Sequence, residues 1–199
     1  MKKLYFLPFI ALFFACAEKN NTSNEMLIGA FQTSISYNQN QIDQYLQEFP
    51  PESNYKYQGE INKLRSKTNS YLDFLDKIIS DIEDKTKSRE NLNNRDIINS
   101  YFFGENNFDK SFTKELEQYD NSLQKLEKSN ENFKRATYIF HSSPILNSKA
   151  EKIQYVEYHF KNKTPIEALL YLYYLKSQAL IIEKDFIFQC LIKSTANNG

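Results

Sequence analysis

The sequence predicts an all-α protein, folded as an antiparallel bundle of about four long helices plus one or two short ones. Apolar residues recur at alternating spacings of three and four along most of the chain, which is the period of an amphipathic helix. The 199 residues include only 4 Gly and 5 Pro, too few for the many tight turns of a β-rich chain. The 16 Phe and 14 Tyr supply enough large apolar side chains for a core.

The N-terminus predicts an export signal. Lys2 and Lys3 form a short positive region, and residues 4–15 form an apolar run. A membrane-spanning helix needs about 20 apolar residues, so this run is too short for a permanent span. Pro8 inside the run argues against a stable span as well.

The end of this leader resembles a bacterial lipobox. Ala15 precedes Cys16, although Phe13 stands where the usual pattern has Leu. We predict that residues 1–15 are a lipoprotein signal peptide, cleaved before a Cys16 that carries the acyl chains, palmitate among them. Such acyl chains would anchor the protein stably to a membrane. The alternative is an ordinary secreted protein with a cysteine near its cleavage site.

The segment after the cysteine predicts a tether. Residues 16–25 are polar and lack helical periodicity, and nine such residues could reach about 30 Å when extended. We therefore expect a helical domain over 26–195, held in the cell envelope by the lipid anchor. The expected location is the outer membrane, facing the periplasm.

Two amphipathic helices are predicted first. One runs over about 25–49 and ends at Pro50-Pro51, since proline cannot continue the hydrogen-bond ladder. The second is a heptad pattern, followed by a predicted loop over 84–94. Its seam consists of Ile61, Leu64, Thr68, Tyr71, Leu75, Ile78 and Ile82.

The middle of the chain predicts a short helix over about 94–103 and a long helix from Asp109 to Ser143-Pro144. Residues 148–160 fit two structures. A capping-box pattern at Ser148 and Glu151 indicates a helix, whereas the alternation after residue 153 indicates a strand. We favour the helix.

The last helix has a clear start. Thr164 occupies the N-cap position, Pro165 the first helical position and Glu167 the third. The following residues are apolar nearly all round, which is typical of a central helix. Charged residues such as Lys176 and Glu183 interrupt it, so we do not expect it to span a membrane.

Catalytic and metal-binding patterns are absent from the sequence. His141 and His159 lack metal-ligand spacing and are interpreted as structural or surface residues. Cys190 lies in an apolar run and is interpreted as a buried thiol rather than a nucleophile. We therefore predict no enzyme activity, no catalytic residues, no cofactor and no metal. The 25 basic and 25 acidic residues give no excess charge that would favour nucleic acid.

An aromatic cluster in the last helix is the candidate binding feature. Tyr171, Tyr174 and Phe188 would form an interface patch if they lie outside the bundle. Part of the cluster could instead pack in the core, or line a pocket for a small ligand.

Two segments carry a family resemblance. The run EMLIGAFQTSISY at 25–37 and the run YHFKNKTPIEALLYL at 158–172, continuing to Glu183, are similar to the N-terminal helical periplasmic region of GldM, also called PorM. The resemblance extends over about 25–195. It implies a dimeric helical bundle in the periplasm, serving gliding motility and type IX secretion in Bacteroidota.

The chain departs from that family at both ends. Family members carry an inner-membrane helix and later β-sandwich domains, and we expect here a lipoprotein leader and one helical domain. The resemblance therefore implies a lipid-anchored relative of one domain, accessory to the machine, acting through a protein partner or a homodimer. The alternative is a helical lipoprotein that binds a small ligand in an aromatic-lined pocket.

Overall fold

The computed structural model describes residues 21–49, 54–88, 94–103, 114–115, 118–119, 121–122, 125 and 158–196. Its helices are α1 (Asn21–Glu48), α2 (Asn54–Lys87), α3 (Arg95–Phe103) and α4 (Pro165–Ala196). The described residues between 114 and 125 are also helical, as are 158–160, and none of the described residues forms a strand. The all-α prediction is confirmed.

Several predicted features lie outside the described residues. They are the leader 1–15, Cys16, His141, residues 148–157 and most of the predicted helix from Asp109 to Ser143-Pro144.

Helix α1 packs one stripe of side chains against the rest of the molecule. Ile35 and Ile42 are buried seven residues apart, and Phe49, just after the helix ends, continues the same spacing. The helix begins at Asn21, so residues 21–25 form its first turn rather than the end of the predicted tether. Asn24, only 3% exposed, continues the buried stripe. A hydropathy pattern does not predict the burial of a polar residue.

Helix α2 buries every position of the predicted heptad seam, from Ile61 to Ile82. It is longer than predicted and runs to Lys87 through the first residues of the predicted loop. Thr86 extends the buried stripe by one turn, and its Oγ1 donates to the carbonyl of Ile82 at 2.6 Å. The charged residues around Thr86 are exposed, because they occupy the outer face of the same helix.

Helix α3 is short and well capped. The side-chain Oδ1 of Asn94 accepts from the backbone amide of Asp96 at 3.0 Å, as an N-cap residue does. The helix buries four side chains, and among them Phe102 stacks on Phe160 with ring centroids 4.0 Å apart. This contact ties α3 to the turn that precedes α4.

Helix α4 starts with the predicted capping box. Glu167 Oε2 accepts from the backbone amide and the hydroxyl of Thr164, at 2.7 and 2.8 Å. The helix packs against α1, α2 and α3, and its residues are buried on most sides. The prediction of a central last helix is confirmed.

The contacts between α1 and α4 show that these two helices run parallel. In three contacting pairs, the α4 residue lies 143 positions after the α1 residue in the sequence. The two helices therefore run in the same direction with a constant offset. The pairs are Phe31 with Tyr174, Ser34 with Ser177, and Tyr45 with Phe188.

Helix α2 runs antiparallel to α4, as predicted for neighbouring helices. Residues nearer the end of α2 contact residues nearer the start of α4. The pairs are Arg65 with Glu183, Asp76 with Lys176, and Glu83 with Tyr173. One end of the bundle therefore holds the N-termini of α1 and α4 together with the C-terminus of α2.

Candidate interaction surface

The two predicted interface tyrosines lie in an aromatic cluster inside the bundle. Tyr171 is 2% exposed and stacks on His159, with ring centroids 3.9 Å apart. Tyr174 packs edge-on against Phe31 of α1 at 5.7 Å. These rings fill the space between α4, α1 and the turn before α4. Tyr171 is therefore a core residue of this chain, and the aromatic side chains of the cluster pack against one another.

The third predicted interface residue, Phe188, lies about four turns of α4 beyond Tyr174 and is 39% exposed. Its ring contacts Tyr45 of α1 with centroids 5.1 Å apart. Ile192, one turn further along α4, is 44% exposed. We call Tyr45, Phe188 and Ile192 the Phe188 patch. It spans both helices of the parallel pair near their C-terminal ends.

Sequence reasoning missed two members of this patch. Tyr45 lies on the apolar face of the predicted first helix, and Ile192 received no role. Tyr45 shares the spacing of the buried residues of α1, and α4 is apolar nearly all round, so no local signal separates a buried position from an exposed one. Only the offset between α1 and α4 brings Tyr45 to Phe188.

A buried polar cluster connects α2 with α4. Arg65 Nε donates to Glu183 Oε1 at 3.1 Å, and the Glu183 side chain is only 3% exposed. Burial raises the pKa of Glu183, and the positive charge of Arg65 opposes that rise. The hydroxyls of Thr68 and Tyr119 are buried beside this pair. Such a cluster favours one register of α2 on α4, because any slip would leave the carboxylate without its cation.

A second polar contact lies between the parallel helices. The hydroxyls of Ser34 and Ser177 are 3.0 Å apart, and Asn38 Nδ2 donates to the Ser34 carbonyl at 2.8 Å. Asn38 and Ser177 are almost fully buried. These small polar side chains allow α1 to approach α4 closely and fix their offset.

The predicted structural roles of His159 and Cys190 agree with their positions. Burial lowers the pKa of His159 to about 3, with a smaller contribution from the charge of Lys163, so its ring is neutral at physiological pH. Cys190 is fully buried in α4. Within the described part of the chain, no group of His, Cys, Asp and Glu is arranged to hold a metal ion.

The decisive comparison concerns residues 17–191, which match the family model of the GldM N-terminal domain. The chain belongs to this family. No curated protein and no solved structure matches it.

Membership of the GldM N-terminal domain family confirms the resemblance found in the sequence. It connects the chain with gliding motility and type IX secretion, and with the cell envelope. Domains of this family take part in protein–protein assemblies and are not known as enzymes. None of the described helices is long and apolar enough to span a lipid bilayer.

Proposed function

We propose that this GldM-family chain is a lipid-anchored interaction protein, accessory to gliding motility or type IX secretion. Cys16 would carry the acyl chains after removal of residues 1–15, and the outer membrane, on its periplasmic side, would hold the anchor. The observation that carries the proposal is the family match over 17–191, which begins directly after Cys16. The helical domain would thus follow the lipidated residue without an intervening domain.

The Phe188 patch is the proposed docking face. It places two half-exposed apolar side chains beside a tyrosine on a rigid pair of helices, and aromatic residues of this kind often anchor protein interfaces. The family's role in assemblies favours a protein as the occupant, either a machine subunit or a second copy of the chain. The alternative, an aromatic-lined ligand pocket, is disfavoured because Tyr171 is buried among other rings.

Crosslinking in native cells, followed by purification and mass spectrometry, tests the proposal. We expect gliding or secretion subunits, or a crosslinked dimer, to be recovered above a Cys16→Ala control. Phe188→Lys should abolish that recovery, whereas Ser66→Lys, which adds the same charge on the exposed face of α2, should leave it intact. Recovery of unrelated envelope proteins alone would exclude the assignment to this machinery.

A further inference from the structure

One end of the bundle lies close to the proposed lipid anchor. The parallel pairing of α1 and α4 and the antiparallel course of α2 bring Asn21, Pro165 and Lys87 to this end. Asn21 lies five positions after Cys16, and five residues reach at most about 18 Å. If Cys16 is lipidated, as the proposed function requires, this end of the bundle cannot move far from the membrane surface. We call it the anchor end.

The anchor end carries the two most exposed large apolar side chains of the described residues. They are Tyr158, which is 72% exposed, and Met26, which is 68% exposed. A tyrosine suits the boundary between lipid and water, because its ring is apolar and its hydroxyl is polar. Neither side chain is needed for the core, so their exposure is compatible with a contact outside the protein.

The turn before α4 carries two lysines, Lys161 and Lys163, which follow Tyr158 closely in the sequence. Asn162 has a positive φ of 59°, and its backbone amide donates to Asn99 Oδ1 at 2.9 Å. Lys161 is exposed, and the Lys163 ammonium lies 5.9 Å from the centre of the Tyr158 ring. Ammonium groups bind phosphate oxygens, so this turn offers phosphate-binding donors next to an interfacial aromatic ring.

Among the described residues, charges at the anchor end are nearly balanced outside this turn. Basic side chains at the end of α2 and the start of α3 are offset by acidic neighbours, which makes a purely electrostatic attachment weak. These residues are Lys85, Lys87 and Arg95 against Glu25, Asp84 and Asp96. The contact would therefore depend on the lipid anchor to bring the surfaces together.

We propose that the anchor end rests on the phospholipid headgroups, with Tyr158 and Met26 at the interface and Lys161 and Lys163 on headgroup phosphates. The bundle then stands upright on the membrane. Phe188 lies 23 residues beyond Pro165 on α4, which places the docking face about 35 Å further from the membrane. The anchor end thus contacts lipid, and the Phe188 patch lies far from the membrane, where it is available to a protein partner.

A fluorescent probe placed either at the anchor end or further along α2 tests this orientation. Ser88→Cys places the probe at the anchor end, and Ser66→Cys places it on the same helix about 33 Å away. The native lipoprotein, carrying either substitution, is labelled and reconstituted into phosphatidylethanolamine–phosphatidylglycerol vesicles with headgroup spin labels. Cys190 is fully buried in the folded protein, and the unsubstituted chain measures any labelling of it.

We expect several-fold stronger quenching at residue 88 than at residue 66, reduced by the combined change Tyr158→Ser and Met26→Ser. Equal quenching at both positions in protein that floats with the vesicles would overturn the orientation while leaving the anchor intact. Unchanged quenching in the Tyr158 and Met26 variant would overturn their role as lipid contacts. Absence of acyl mass on Cys16 would refute the proposed function and this inference together.

Discussion

Replacing Arg65 by methionine should expose the energetic role of the buried cluster between α2 and α4. The change removes the cation that faces Glu183 and leaves a carboxylate whose side chain is 3% exposed. Breaking a fully buried ion pair costs about 3–5 kcal/mol, whereas surface pairs contribute about 0–1 kcal/mol. Because the Arg65 side chain is 37% exposed, we expect an intermediate loss of about 2 kcal/mol in the free energy of unfolding.

The pH dependence of this loss gives a second test. Burial already raises the pKa of Glu183, and removing the opposing charge of Arg65 should raise it further. A carboxyl group with a raised folded-state pKa loses stabilisation as pH rises through that value, and below its unfolded pKa the stabilisation is fully present. The deficit of Arg65→Met relative to the wild type should therefore be larger at about pH 8 than at about pH 5.

Urea denaturation followed by circular dichroism at both pH values measures these differences. The double variant Arg65→Met with Glu183→Leu serves as the control, because replacing both charges by apolar groups is often neutral or stabilising. It should recover most of the lost stability. A single variant as stable as the wild type at pH 8, or a deficit equal at both pH values, would refute the reasoning.

Three further predictions concern other parts of the fold, each measured by the same denaturation assay. Thr164→Ala should cost about 1 kcal/mol through loss of the α4 cap, and an unchanged midpoint would contradict this. Phe160→Ala should cost about 3–5 kcal/mol because the ring is fully buried, whereas Phe188→Ala should cost far less; similar losses would be inconsistent with their burial. The wild type should lose stability as pH falls below 6.5 toward about 3, because folding disfavours the charged form of His159; His159→Phe should lack that component, and an identical pH profile would argue against it.

The sequence predicted those features that depend on neighbouring residues. The heptad of α2 follows from the spacing of apolar side chains in successive turns, and the capping box of α4 from residues within one turn; the structure contains both. The boundaries were less predictable. The start of α1 and the end of α2 differ from the prediction where Asn24 and Thr86 continue a buried stripe, because a hydropathy pattern counts such polar residues as exposed.

The candidate surface could be predicted only in part. Phe188 was identified from the sequence as an aromatic that could lie outside the bundle, but Tyr171 was grouped with it and is a core residue. Helix α4 is apolar nearly all round, so its own pattern does not show which side other helices will cover. The partner of Phe188, Tyr45, lies 143 residues away in the sequence and could not be identified from local spacing.

The direction of each helix was decided by tertiary structure. An apolar stripe indicates which face of a helix is buried and fits a parallel or an antiparallel neighbour equally well. The long chain between α2 and α4 permits either course for α4, and the Ser34–Ser177 and Arg65–Glu183 contacts exist in only one of them. The sequence alone thus determined the helices and the buried faces of α1 and α2. Packing determined that α1 and α4 run side by side, which brings Tyr45 to Phe188 and separates that patch from the anchor end.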